Sequence, residues 1–135
     1  MRGQASLELL VVLAAVFAFA AALLPAEQEY AGAARTAVIT SVQATVLERT
    51  TQLAREAWLA GPGSVLGVEL VLQAETHIEY ANGTLEMSFN SSNRTIERQL
   101  RAPPIEMKEQ MLEKGKYWVE AKNEGTRVQV EWKKN

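Results

Sequence analysis

Cysteine and aspartate are both absent from the 135 residues, and histidine occurs once, at His77. Without cysteine there is no disulfide framework, no thiolate zinc site and no thiol nucleophile, so a domain placed outside the cell must be held by packing alone. Without aspartate every acidic group is a Glu, which excludes calcium loops of the D-x-[DN]-x-[DN]-G type and the short carboxylates common at magnesium sites. Charge of one sign is also lacking: 14 basic residues face 16 acidic ones, for a formal net charge of −2. That balance supplies no basic surface of the kind nucleic-acid binding needs, so nucleic acid is not expected as a main partner. No G-x-S-x-G, Walker A, G-x-G-x-x-G or H-E-x-x-H pattern occurs, and neither a catalytic site nor a cofactor is expected. His77 has Glu75 and Glu79 at alternate positions. Such an arrangement can hold a metal weakly, but ordinary salt pairing on a solvated strand is the reading adopted, and no metal site is assigned.

The chain does have a long apolar run. From Leu9 to Leu24 no polar residue occurs, and one carboxylate, Glu8, lies immediately before it. An acidic side chain at the centre of a membrane helix costs roughly 2.5–3.5 kcal/mol and points to a function that needs a partner. Together with Ala5, Ser6 and Leu7 the run reaches about 20 residues, enough to span a bilayer core. Arg2 precedes it while Glu27 and Glu29 follow it, so the positive-inside tendency puts the amino terminus in the cytoplasm and the rest outside. The alanines at 14, 15, 18, 20, 21 and 22 let helices approach closely where lipid provides no hydrophobic drive.

Arg2-Gly3 followed by Gln4, Ser6, Glu8 and an unbroken apolar segment resembles the processing site of archaeal type IV pilins, the class III signal peptide. The resemblance covers about the first quarter of the chain. It implies cleavage between Gly3 and Gln4 by a prepilin peptidase, with the apolar helix kept on the mature protein. Glu8 then becomes the fifth residue of the processed chain, where pilins carry the acid thought to pair with a neighbouring subunit's amino terminus. Pro25 falls where pilin helices often bend. The family usually has Leu four residues after the Glu; here that position is Val12, with Leu13 next. The resemblance further implies a filament of identical copies, extracted from the membrane by an assembly ATPase and a membrane platform protein. A secretory signal cut at Ala18-Phe19-Ala20 or Ala20-Ala21-Ala22 is the competing reading. Against it, Glu8 lies where such a signal takes apolar or basic residues, and helix continues past the cut.

Between residues 26 and 60 there is no proline and one glycine, Gly32, and Ala34, Val38, Val42, Val46, Leu53 and Ala57 recur at helical steps. This predicts an amphipathic helix that Gly61-Pro62-Gly63 terminates. Beyond it the period changes to two. Leu66, Val68, Leu70 and Leu72, then Thr76, Ile78 and Tyr80, predict an even-numbered inner face. Asn82-Gly83 predicts a two-residue hairpin turn, with Leu85, Met87 and Phe89 inward on the return strand. Residues 94–101 read as a third strand with Ile96 and Leu100 inward, stopped by Pro103-Pro104. Residues 105–113 are open between a short helix and a covering loop. A last hairpin pairs residues 116–122 with 126–133, placing Tyr117, Val119 and Ala121 inward opposite Val128, Val130 and Trp132.

Trp118 is then the one aromatic directed outward, either as a surface contact or covered by residues 105–113. Three N-x-[ST] sequons, at Asn82, Asn90 and Asn93, fall at predicted turns and are candidate N-glycosylation sites, although turn chemistry alone also favours these residues. The expected architecture is α+β: a leader at 1–3, a transmembrane or filament-core helix at 4–25, an amphipathic helix at 26–60, and an antiparallel sheet at 61–135, a lollipop with a bent stem. The expected precursor lies in the cell membrane and the mature form in an extracellular filament. The alternative is an anchored or secreted β-rich binding module that does not assemble.

Overall fold

The computed structural model describes residues 2–91 and 94–135, with side chains from Leu9 onward except at the two omitted positions. A single helix, α1 (Arg2–Ala60), opens the chain and contains Pro25. Proline removes one hydrogen bond from a helix interior and crowds the preceding turn. The chain divides into two compact units, Met1–Arg35 and Thr36–Asn135.

Among the described residues of the second unit, eight strands form two four-stranded sheets. The first contains β1 (Val65–Leu72), β7 (Gly115–Asn123), β8 (Val128–Lys134) and β5 (Ile105–Glu106), in that spatial order. The second runs β4 (Arg94–Arg101), β3 (Thr84–Ser91), β2 (Thr76–Ala81) and β6 (Gln110–Leu112). All pairings are antiparallel except β5 with β8. The α+β class is as expected, but the β region is two sheets rather than one. The even parity of residues 66–80 holds across the change of sheet: Leu70, Leu72, Thr76 and Ile78 are all buried. Residues 105–113 are neither helix nor covering loop. They supply β5 and β6, a short edge strand for each sheet.

One apolar core joins both sheets to the helix. Val46, Leu47, Leu53, Ala54 and Ala57 come from α1; Leu72, Tyr117, Val119, Ala121 and Val128 come from the first sheet, and Ile78, Leu85, Met87 and Phe89 from the second. Ala34 and Val38, expected in the helix stripe, are exposed. The buried face instead includes Gln43, Leu47, Thr50 and Thr51. Polar residues can serve there because the hydroxyls find local acceptors: Thr50 Oγ1 donates to Val46 O at 2.8 Å and Thr51 Oγ1 to Leu47 O at 2.9 Å. Gln43 Nε2 donates to Thr76 Oγ1 at 2.5 Å, tying the helix to β2.

The end of α1 is locked into the last hairpin. Asn123 is 2% exposed. Its Nδ2 donates to the carbonyls of Ala57 and Trp58, each at 3.1 Å, and its Oδ1 accepts from Gly125 N at 2.7 Å. Its backbone bonds to both Gly63 and Ser64, and Ser64 Oγ also donates to Ala57 O. Helix-terminal carbonyls have no partner within the helix, so one buried amide caps α1 and fixes the hairpin beneath it.

Candidate functional sites: the apolar helix and the outer sheet faces

Every residue from 9 to 24 is exposed. The helical segment Leu9–Ala60 includes a stretch long and apolar enough to cross a membrane, and none of that stretch is buried within the chain. Gly3, Gln4 and Glu8 lie on the backbone of α1, and their side chains fall outside the described residues. Pro25 is exposed.

The sequons take different environments. Asn82 is exposed at the tip of the β2–β3 hairpin, with φ of 53°, and Gly83 follows with φ of 79°. Both values belong to a type I′ turn, in agreement with the expected hairpin. Asn90 lies in strand β3 rather than in a turn, opposite Thr95, and its Oδ1 accepts from Thr95 Oγ1 at 3.0 Å. The strand runs further than expected because Asn90 and Ser91 continue the ladder to Thr95 and Arg94. Asn93 lies outside the described residues.

Trp118 is 40% exposed on the outer face of β7. Of residues 105–113, the expected alternative cover, β5 pairs with β8 and β6 with β2 of the other sheet, so neither strand lies beside β7. The indole instead lies against Gly67 of β1, where an added Cβ would overlap the ring. Register pairs Trp118 with Glu69 and sets Gly67 on the diagonal, so the aromatic covers backbone that glycine leaves bare, as in aromatic rescue of edge glycines. The same face carries the exposed Val65 and Val71.

On the outer face of the second sheet the fold brings together residues distant in sequence. His77 Nε2 and Glu109 Oε1 are 2.8 Å apart. Glu79 joins them, one potential ligand atom from each of the three lying within 4.8 Å of the others. Glu75, which the sequence reading grouped with His77, is not in this set; Glu109, from just before β6, is. The register sets Glu79 opposite Glu86 and His77 opposite Ser88. These residues, with Glu97 and Gln99 of β4, line a groove of about 410 Å³. At the end of the first sheet, Lys134 Nζ donates to Glu113. That hydrogen bond holds the Glu113 carboxyl below the usual carboxylate range and raises the Lys134 ammonium above the usual lysine range.

No protein-family model, curated protein or solved structure matches this chain.

Proposed function

We propose that this chain is a structural subunit, major or minor, of an archaeal type IV pilus or related surface filament, processed after Gly3 and assembled through its amino-terminal helix. The observation that carries the reading is the continuous exposure of the apolar residues 9–24 directly after Gly3, Gln4 and Glu8. A surface of this kind needs lipid or copies of itself to cover it. The role is structural rather than catalytic. The precursor sits in the membrane with its amino terminus cytoplasmic, where the prepilin peptidase acts, and the compact unit is outside. An assembly ATPase and a platform protein then move the helix from bilayer to filament, where Pro25 bends it. Asn82, exposed at its turn, is a well-presented glycan acceptor, and adhesion through the outer sheet faces is one use of such a filament.

In the filament core an ionised Glu8 must be paired, and the new amine at Gln4 of an adjacent copy is its partner. Four residues of helix rise about 6 Å, so a neighbour displaced axially by that amount brings the groups together. Glu8→Ala is therefore expected to be inserted and cleaved normally but to enter filaments poorly, with Glu8→Gln intermediate. The measurements are the mass of the mature amino terminus and the ratio of filament to membrane pools. A mature chain beginning between residues 21 and 27, or Glu8→Ala filaments at the wild-type ratio, would overturn the reading in favour of a secreted or anchored binding module.

A further inference from the structure

We propose that His77, Glu79 and Glu109 form a binding site for a divalent transition-metal ion of the zinc class, independently of the filament reading. β2 presents His77 and Glu79 on one face because alternate residues of a strand point the same way. Pairing of β2 with β6, in which His77 lies opposite Met111, brings in the segment that carries Glu109. The three ligand atoms already lie within 4.8 Å of one another. An imidazole nitrogen and a carboxylate oxygen sharing a tetrahedral zinc ion stand about 3.3 Å apart. His77 Nε2 and Glu109 Oε1, at 2.8 Å, need open by only about half an ångström to admit the ion. Glu109 is free to make that movement: its side chain is 69% exposed and lies outside any strand.

The charge distribution around the trio gives a second reason. Glu79 and Glu86 face each other directly across β2 and β3, and like charges in that position destabilise a sheet. Neither has a basic group within ion-pairing distance among the described residues. Glu97 lines the same groove, and apart from His77 the one basic residue among its described lining is Arg98. A cation held by the trio converts the Glu79–Glu86 repulsion into attraction and leaves Glu86 and water to complete the coordination. An imidazole with two or three carboxylates suits zinc or a neighbouring first-row ion. Calcium, which takes six to eight oxygens, is poorly matched. The bound ion would brace β6, a three-residue edge strand, to the centre of its sheet.

The test is zinc binding by the full chain, purified in detergent micelles without a histidine tag, measured by competition with a chromophoric chelator and by the visible spectrum of the Co²⁺ form. One ion per chain is expected, with His77→Ala and Glu109→Gln each weakening affinity by about tenfold or more, and His77→Ala abolishing the tetrahedral Co²⁺ bands. Glu109 is exposed and His77 is half-buried outside the apolar core, so an unchanged far-ultraviolet circular dichroism spectrum accompanies each loss. Glu131→Gln, on the other sheet, should bind as wild type does. Zinc held equally well by His77→Ala would show a diffuse acidic face and overturn the proposal, as would a wild-type chain that takes up no zinc.

Discussion

Replacing Asn123 by alanine removes the clasp between α1 and the last hairpin, and its size can be worked bond by bond. Three side-chain hydrogen bonds are lost. Ala57 O keeps the Ser64 hydroxyl at 2.8 Å. Trp58 O keeps only the longer contact with Gly61 N, at 3.4 Å. Gly125 is exposed, so water replaces the acceptor its N–H loses. At about 1 kcal/mol net per bond, and with one carbonyl left poorly satisfied, the expected loss is about 2–3 kcal/mol. Asn123→Asp separates geometry from chemistry. It has the same shape and still accepts from Gly125, but it turns a buried carboxylate toward helix-terminal carbonyls, which carry partial negative charge. It should therefore destabilise at least as much as alanine at neutral pH. The assay is chemical denaturation of the full chain in micelles followed by tryptophan fluorescence, reporting the change in midpoint at constant slope. A loss under about 0.5 kcal/mol for Asn123→Ala, or an aspartate variant as stable as wild type, would refute the capping argument.

Gly67→Ala should displace the Trp118 ring that occupies the space of the new methyl group, costing about 1 kcal/mol because the ring is at the surface and can move; a tryptophan emission spectrum unchanged from wild type would refute it. Gly83→Ala places a side chain at a φ of 79° and should cost about 1–2 kcal/mol by thermal or chemical melting, whereas a neutral result would refute the type I′ assignment. The Glu113–Lys134 pair has a lowered carboxylate and a raised ammonium, so its contribution is present between the two titrations. It is lost as pH falls through the Glu113 pKa and again as pH rises through that of Lys134. Because both groups are largely exposed, that contribution is small, so Glu113→Gln should leave the melting temperature at neutral pH nearly unchanged, and a clear drop there would contradict this. A fragment of residues 36–135, which keeps the whole buried helix face, should be soluble and monomeric by light scattering. One of residues 64–135, lacking Leu47, Ala54 and Ala57, should aggregate; a monodisperse shorter fragment would show that the helix is dispensable.

The strands were legible because period-two patterning and turn chemistry agree. Asn82-Gly83 fixes the register of its hairpin, so the Glu79–Glu86 pairing follows by counting outward from the turn. Of the six inner residues expected on the last hairpin strands, Tyr117, Val119, Ala121, Val128 and Val130 are buried and Trp132 is half-buried against the core, as alternation alone implies. The helix face was harder to read. A stripe drawn through apolar residues runs back to Ala34 and Val38, whereas the buried face passes through Gln43, Thr50 and Thr51, whose donor groups are taken up by hydrogen bonds that no periodicity reveals. The division into two sheets was hidden for a related reason: β1 and β2 share one parity although they pair with different strands. Glu109 gave no signal at all. Its approach to His77 depends on β6, three residues long and bounded by no clear turn motif, pairing with β2.

The placement of the core bears on how such a subunit could assemble. The buried helix side chains run from Gln43 to Ala57, and Ile39 packs only partly against the core; none of the described core residues comes from 9–24. On the filament reading, the apolar segment can leave the bilayer without loosening the core, and the exchange of lipid for neighbouring helices creates little new apolar burial. The drive must then come from close packing of the alanine-rich surface and from pairing Glu8. These two contributions are separable. Enlarging Ala18 to leucine should weaken helix packing while leaving the carboxylate intact, whereas Glu8→Ala removes the charge and keeps the packing surface. If Ala18→Leu lowers the filament-to-membrane ratio and Glu8→Ala does not, packing alone sets the subunit register, and the acid before the apolar run must serve cleavage or extraction instead.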